Sequence, residues 1–526
     1  MRMQKRNLLL LLLAVVWLVA CFAFFQFGYR YHLCYQEQNQ LFLMSSSYLW
    51  GYFSKPAWLA CMLGDFLTQF YYYLYAGPLI LSLSLLLVGV LTYYSFKRLS
   101  APTWLSALLG FVFATLGAVF SFQSDYRLSS VLALAGGWAL FLLWSLRRMP
   151  IWLSALTILI GGILAHWLFG YGMWLFLILA LVAEIQHVSG LVRLLPAIGS
   201  TVVVIVVVAF TKPLYFLPYS QLFTTPGMGR VERPNFLLER ELGVATEYAL
   251  GNYAQVVRMV DRQQEPLDIE LFYYNLVMAQ RGELPQVLLK HGTTQLGTFY
   301  SVGPTTPAVV INAMDQLYWA LGDVTFTERA AMLAHVFSPQ NRSRVKLRRL
   351  AEVGIVEGDT AAARKYLRVL SKSWVDRDWA NHLLAGDAEA LQPYKKVQQF
   401  AITADTLRLN DNAHNVMVQL LQRNPNNVVA RDYLLCSDLL LKDLDGFKRD
   451  YDRFVMSQGT RLSTPLYQQA LCICLTREHA PESVWQHYGI SGSELQNFAD
   501  YNRRRGDAAF AHTYYYYFDK IKAPSI

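Results

Sequence analysis

Seven apolar stretches, each near the length that a hydrocarbon core demands of a helix, crowd into the first 211 residues. Crossing about 30 Å of lipid takes roughly 20 residues of helix. The stretches run approximately from Asn7 to Phe27, Tyr75 to Tyr94, Thr103 to Phe122, Ser129 to Leu146, Ile151 to Phe169, Tyr171 to Val188 and Leu194 to Phe210. A chain of this kind predicts an all-α polytopic transmembrane bundle over residues 1–211.

Charge marks where the bundle ends. Its 211 residues hold only four acids (Glu37, Asp65, Asp125 and Glu184), and the remaining acids lie beyond Lys212. Basic residues set its orientation, because cytoplasmic loops retain Lys and Arg. Arg2, Lys5 and Arg6 precede the first stretch, Lys97 and Arg98 follow the second, Arg147 and Arg148 the fourth, and Arg193 the sixth. All four clusters fall on one side. This predicts a cytoplasmic amino terminus and an extracytoplasmic carboxyl-terminal half, in a bacterium an inner-membrane protein with a periplasmic domain. The net charge of +9 belongs mainly to these helix ends, so nucleic acid is not predicted as a partner; the lipid bilayer is. Leu18-Val19-Ala20-Cys21 matches a lipoprotein box but continues into Phe22-Ala23-Phe24-Phe25, which favours a retained helix.

In this topology Glu37, Asp65, Asp125, Arg127 and His166 share the outer face. Ionisable groups at a bilayer are costly, so their placement there is a functional signal. The long outer loop, residues 28–74, is dense in Trp, Tyr and Phe and predicts two short interfacial helices, the second started by Pro56. Glu37 and Asp65 within it are candidates for a general base. Each has an ordinary structural reading beside that one, as a solvated acid or a partner of Arg30 or Lys55. The six cysteines are too few for a disulfide framework; Cys34 and Cys61 share the outer loop, where a bridge is open to them, and Cys472 and Cys474 read as buried helix residues.

The order of a seven-helix module, a long acid-bearing first outer loop and a soluble domain resembles the GT-C superfamily of polyprenyl-phosphate-dependent glycosyltransferases. The resemblance covers roughly residues 1–211. It implies transfer of a glycan from a polyprenyl-phosphate-linked donor to an extracytoplasmic acceptor, a protein among the candidates, with Glu37 or Asp65 as the catalytic residue that accepts a proton from the acceptor hydroxyl or orients it. It further implies donor-phosphate contacts by basic residues at the rim, for which Arg127, His166, Arg230 and Arg233 qualify. Asp125 stands in the second outer loop where some members bind Mg²⁺ or Mn²⁺. It stands alone, not in an Asp-x-Asp pair, which favours a metal-independent member. The first loop also resembles that of an uncharacterised bacterial membrane-protein family, which implies no activity.

Residues 212–234 are rich in Pro and Gly and read as a linker or a loop returning over the outer face. From residue 235 to 526, Gly-containing turns at Gly251, Gly282 and Gly358 and the break Asn424-Pro425-Asn426-Asn427 resemble tetratricopeptide repeats and predict an α-solenoid. Such a domain binds polypeptide on its concave face. Tyr514 to Phe518 reads as a capping helix with its aromatics turned inward, and Asn341-Arg342-Ser343 as a chance sequon. No catalytic motif occurs in this half. The competing prediction for the whole chain is therefore a non-catalytic envelope scaffold, in which the bundle anchors a protein-binding module.

Overall fold

A computed structural model describes residues 2–147, 149–187, 194–215, 217–291, 305–338, 341–401, 412–462 and 464–523, and every regular element among them is helical. Arg148 and Arg193 lie outside the described residues, as do the side chains of Arg2 and Lys5.

Two compact units divide the chain. The first takes Met1–Glu239 and adds Ser338–Val345 and Arg368–Asn381; the second takes Arg240–Phe337, Lys346–Leu367 and His382–Ile526. The sequence reading places a simple break after residue 211 and foresees no such return of later segments.

The first unit holds the apolar helices α1 (Arg2–Ala23), followed by α2 (Tyr31–Gln38), α3 (Ser46–Phe53) and α4 (Trp58–Thr68) in the long loop, then α5 (Ala76–Arg98), α6 (Thr103–Phe120), α7 (Leu128–Trp144), α8 (Ile151–Phe169), α9 (Gly172–His187) and α10 (Leu195–Phe210). Four helical stretches, Arg6–Gly28, Ala76–Arg98, Thr103–Phe120 and Ile151–Phe169, are long and apolar enough to cross a membrane; α7, α9 and α10 are apolar but shorter. Leu8, Leu12, Val16 and Val19 on α1, with Leu79, Leu83 and Leu87 on α5, stand exposed. So broad an apolar surface is stable against lipid and not against water. Inside the bundle, small residues bring backbones together: a Cβ on Gly110 would lie 2.7 Å from the Gly89 carbonyl oxygen, so α5 and α6 cross at glycine. Buried hydroxyls return to their own helices, Thr92 donating to the Val88 carbonyl at 2.8 Å and Ser84 to that of Ile80 at 2.8 Å.

The long loop differs from the predicted pair of interfacial helices. It forms three helices and a 3₁₀ turn (Gln69–Tyr72), with the last helix beginning at Trp58, just past Pro56. It also packs down on the bundle: a Cβ on Gly64 would lie 2.6 Å from the Ser129 backbone, so α4 rests directly on the start of α7. Residues 212–234 return over the same end of the bundle. They contain short helices α11 (Lys212–Tyr215) and α12 (Tyr219–Thr224), and the Gln123 side chain donates to the Arg230 carbonyl at 2.7 Å. All six cysteines are free thiols, Cys34 and Cys61 included, and Cys472 and Cys474 are buried in a helix as predicted.

The second unit is built of helix pairs. Gly251, Gly282, Gly358 and Gly386 all have positive φ at the turns, a conformation open to glycine without a Cβ penalty. The predicted break at Asn427 is a helix N-cap, its side chain accepting from the Ala430 N–H at 3.1 Å. In the terminal helix, Tyr514, Tyr515 and Tyr517 point inward, and their hydroxyls donate to the Leu439 carbonyl (3.0 Å), the Glu494 carboxylate (2.8 Å) and the Leu440 carbonyl (2.7 Å).

Candidate functional site

The candidate site of the first unit is built on the turn from α3 to α4. Pro56 and Ala57 are buried there, Ala57 holds a left-handed backbone, and its N–H donates to the His166 carbonyl at 3.2 Å. This turn, together with the Gly64 contact on α7, fixes Asp65 one residue further on. Asp65 is only 4% exposed. The Tyr52 hydroxyl donates to its Oδ2 at 2.7 Å, and no donor among the described residues takes its other oxygen. Tyr48 continues the chain, its hydroxyl 3.1 Å from that of Tyr52 and accepting from Arg342 Nη1 at 3.0 Å.

Three cations act on this one acid: Arg127, Arg342 and Lys55. None of the three makes an ion pair among the described residues, and each is partly exposed. Lys55 lies over the Tyr52 ring at 5.6 Å, and Arg342 over the Tyr48 ring at 5.2 Å. Burial raises the Asp65 carboxyl above its ordinary range, against the opposing pull of Tyr52 and the cations. Burial, reinforced by Arg342, lowers the Lys55 ammonium. Cys61 nearby is pushed up to about 12 by burial and by Asp65, so its thiol stays protonated and is a poor nucleophile. The arrangement is a proton-accepting carboxylate inside an excess of positive charge, suited to a reaction that deprotonates one group and releases an anion.

Asp65 also ties stability to pH. Its folded value lies above the unfolded carboxylate value of about 3.9, so its stabilising contribution is complete below that pH and is lost as pH rises through the folded value. Unfolding midpoints of the detergent-solubilised protein, measured from pH 4 to pH 8, should therefore fall more steeply for the wild type than for Asp65→Asn. Parallel curves would mean that the fold does not raise the Asp65 carboxyl.

Glu37 is committed elsewhere. Both its oxygens accept from Arg344, Nε at 2.6 Å and Nη2 at 2.9 Å, and Arg344 Nη1 donates to Asp376 at 3.0 Å. All three are buried. Burial alone would lower the Arg344 guanidinium, but Glu37 and Asp376 raise it well above its usual value, so it stays charged. The same junction includes Ser343 donating to the Gln38 carbonyl at 3.0 Å, the Met44 N–H donating to the Lys372 carbonyl at 2.7 Å, and Trp374 Nε1 donating to the Tyr73 hydroxyl at 3.2 Å. Segments 338–345 and 368–381 are thus hydrogen-bonded to the long loop.

The other predicted residues do not join the Asp65 cluster. His166 is buried with its Nε2–H donating to the Leu222 carbonyl at 3.1 Å, a contact that holds the returning α12. Arg230 and Arg233 are exposed, and Arg230 meets Gln123 through its backbone. Asp125 is exposed, and no group of metal-ligating side chains among the described residues includes it. The residues around Asp125 do not fit a divalent ion. Two members of the cluster, Lys55 and Arg342, are not among the site residues predicted from sequence, where Lys55 enters only as a candidate structural partner of the loop acids. Lys55 is one of only three basic residues in the predicted outer loops of the bundle and could have been included; Arg342 carries no local signal, standing in a segment read as a chance sequon.

A family of unknown function (DUF6057) matches residues 5–521, from the first apolar helix to the terminal one. No curated protein and no solved structure matches the chain.

Proposed function

The chain belongs to the DUF6057 family, and from that premise we propose that it is a membrane glycosyltransferase of GT-C type, with Asp65 as proton acceptor. One observation carries this reading: a buried carboxyl with one oxygen free of described donors, acted on by three cations that make no ion pair among the described residues. In this reading all seven apolar helices cross the bilayer, the amino terminus is cytoplasmic, and the long loop and the second unit lie outside. The second unit, a solenoid of degenerate repeats, selects an extracytoplasmic acceptor, a protein being the class such a surface suits.

The chemistry follows from the charges. The acceptor hydroxyl oxygen attacks the anomeric carbon, its proton passes to Asp65, and the bond from sugar to phosphate breaks. The leaving polyprenyl phosphate keeps the electron pair, and Lys55, Arg127 and Arg342 neutralise it through charge-assisted hydrogen bonds. A carboxylate whose burial raises its affinity for a proton is a better match to this task than an ordinary exposed one. Tyr52, which remains protonated because burial and Asp65 both raise it, orients the carboxylate. No step is routed through a metal.

The test is a glycan blot of envelope proteins from a deletion strain. Deletion should remove a glycan signal and the wild-type gene should restore it. A Lys55→Gln/Arg127→Gln double variant, expressed to equal level, should restore it at least about 10-fold less well, since a hydrogen bond to a charged group contributes about 1.5–3 kcal/mol. A deletion that leaves every glycan unchanged overturns the transferase reading and leaves a membrane-anchored scaffold.

A further inference from the structure

Three consecutive helices of the second unit each direct one potential metal ligand to a common point. His414 lies on the helix Ala413–Arg423, Asp438 on Val428–Leu440 and Asp450 on Leu444–Phe454. One ligand atom from each lies within 4.8 Å of the others. His414 Nε2 is 2.7 Å from Asp450 Oδ2 and 3.9 Å from Asp438 Oδ1. Ligand atoms about 2.0–2.2 Å from a tetrahedral ion stand roughly 3.3 Å apart, midway between these two separations. The two carboxylates lie within 4.8 Å of each other, so side-chain adjustments of about 1 Å would reach that geometry.

A second observation points the same way. Asp438 is 3% exposed, and its Oδ2 has no hydrogen-bond partner among the described residues. A buried carboxylate oxygen without a donor is expensive. Among the described residues, the compensating charge at this point comes from Arg449 at its edge. Arg449 approaches Asp450 at 3.3 Å and His414 Nε2 at 3.4 Å, but its side chain is 60% exposed and reaches in from solvent. Asp443 is occupied as a helix cap, accepting from the Gly446 N–H at 2.8 Å. The three helices are fixed by their own caps, Asn412, Asn427 and Asp443, so the ligands are presented from rigid elements.

We propose that His414, Asp438 and Asp450 bind one divalent transition-metal ion, of the zinc or manganese class, that clips these three helices together. An imidazole nitrogen with two carboxylates suits such ions better than Ca²⁺ or Mg²⁺, which prefer all-oxygen shells. Arg449 withdraws to solvent when the ion enters. With three protein ligands, the remaining position is left to water, and the partial exposure of His414 provides the entry path.

The full chain, purified in detergent without a histidine tag and stripped with chelator, tests this directly. Equilibration with Zn²⁺ or Mn²⁺ should leave one ion per chain by elemental analysis. At 100-fold excess over the dissociation constant it should raise the unfolding midpoint by about 5–10 °C. Mg²⁺ and Ca²⁺ should do neither at equal concentration. Asp438→Asn, which keeps the side-chain shape, and His414→Gln should each lower affinity at least about 10-fold, whereas Arg449→Ala, which removes the competing cation, should bind at least as tightly as the wild type. A wild-type chain that retains no ion and shows no shift overturns the proposal, as does unchanged binding by Asp438→Asn.

Discussion

Replacing Asp65 by asparagine will lower glycan transfer by about 10²–10⁴-fold, the range that a positioned general base contributes. The substitution is close to isosteric and removes a group that the fold already disfavours in its charged form. The amide oxygen can still accept from Tyr52, so the loop should keep its structure. Activity and stability will therefore part company: the variant should unfold at or above the wild-type midpoint while its initial rate collapses. Rates per folded molecule, taken with membranes from the complemented deletion strain, read the two effects separately. A variant that transfers at the wild-type rate removes Asp65 from the chemistry, even if the strain's glycan phenotype is real.

Removing Arg344 will act in the opposite way. Arg344→Met leaves Glu37 and Asp376 buried without their shared cation, and breaking a buried pair from one side costs about 3–5 kcal/mol. Unfolding of the solubilised protein, or its half-life under limited proteolysis, should record a loss of that size. Glu37→Gln alone should cost less, because Arg344 keeps Asp376. The double variant Glu37→Gln/Arg344→Met should be less damaged than the sum of the two, since the side chains are in direct contact. Additive losses would mean that the pair contributes little despite its geometry. On the proposed reading the loop's two acids do different work: Asp65 accepts a proton, whereas Glu37 holds distant segments of chain through Arg344.

That division was not visible in the sequence. Composition marks both acids as outer-face groups in the first loop, and nothing local separates them. What separates them is Arg344, whose partner Glu37 lies 307 residues away, a separation that leaves no spacing to read. By contrast, the apolar runs are local and continuous. The stretch from Ile151 to Phe169 coincides with α8, and those from Thr103 and Leu194 coincide with α6 and α10 to within two residues. The helix turns of the second unit were legible for a similar reason, because a positive φ selects glycine on the spot, as at Gly251 and Gly358. The sequence reading of residues 28–74 missed one thing: a small residue, Gly64, lets α4 press against α7 and buries Ala60, Asp65 and Thr68, while Trp50, Tyr72 and Tyr73 stay exposed. The ligand trio His414, Asp438 and Asp450 fails to register in sequence because three separate helices supply it, with no recurring interval.

The return of residues 338–345 and 368–381 to the first unit also sets a timetable for the chain's birth. A ribosome adding about 5–20 residues per second needs roughly 15–60 s to travel from Glu37 to Arg344. Throughout that interval the long loop has been made but lacks the guanidinium that its buried acid requires. The nascent loop must be shielded by lipid or by a helper protein, or must keep Glu37 protonated or wet, until the later segments emerge. Chains stalled before residue 338 should accordingly leave the loop open to protease, and chains stalled well past residue 381 should protect it.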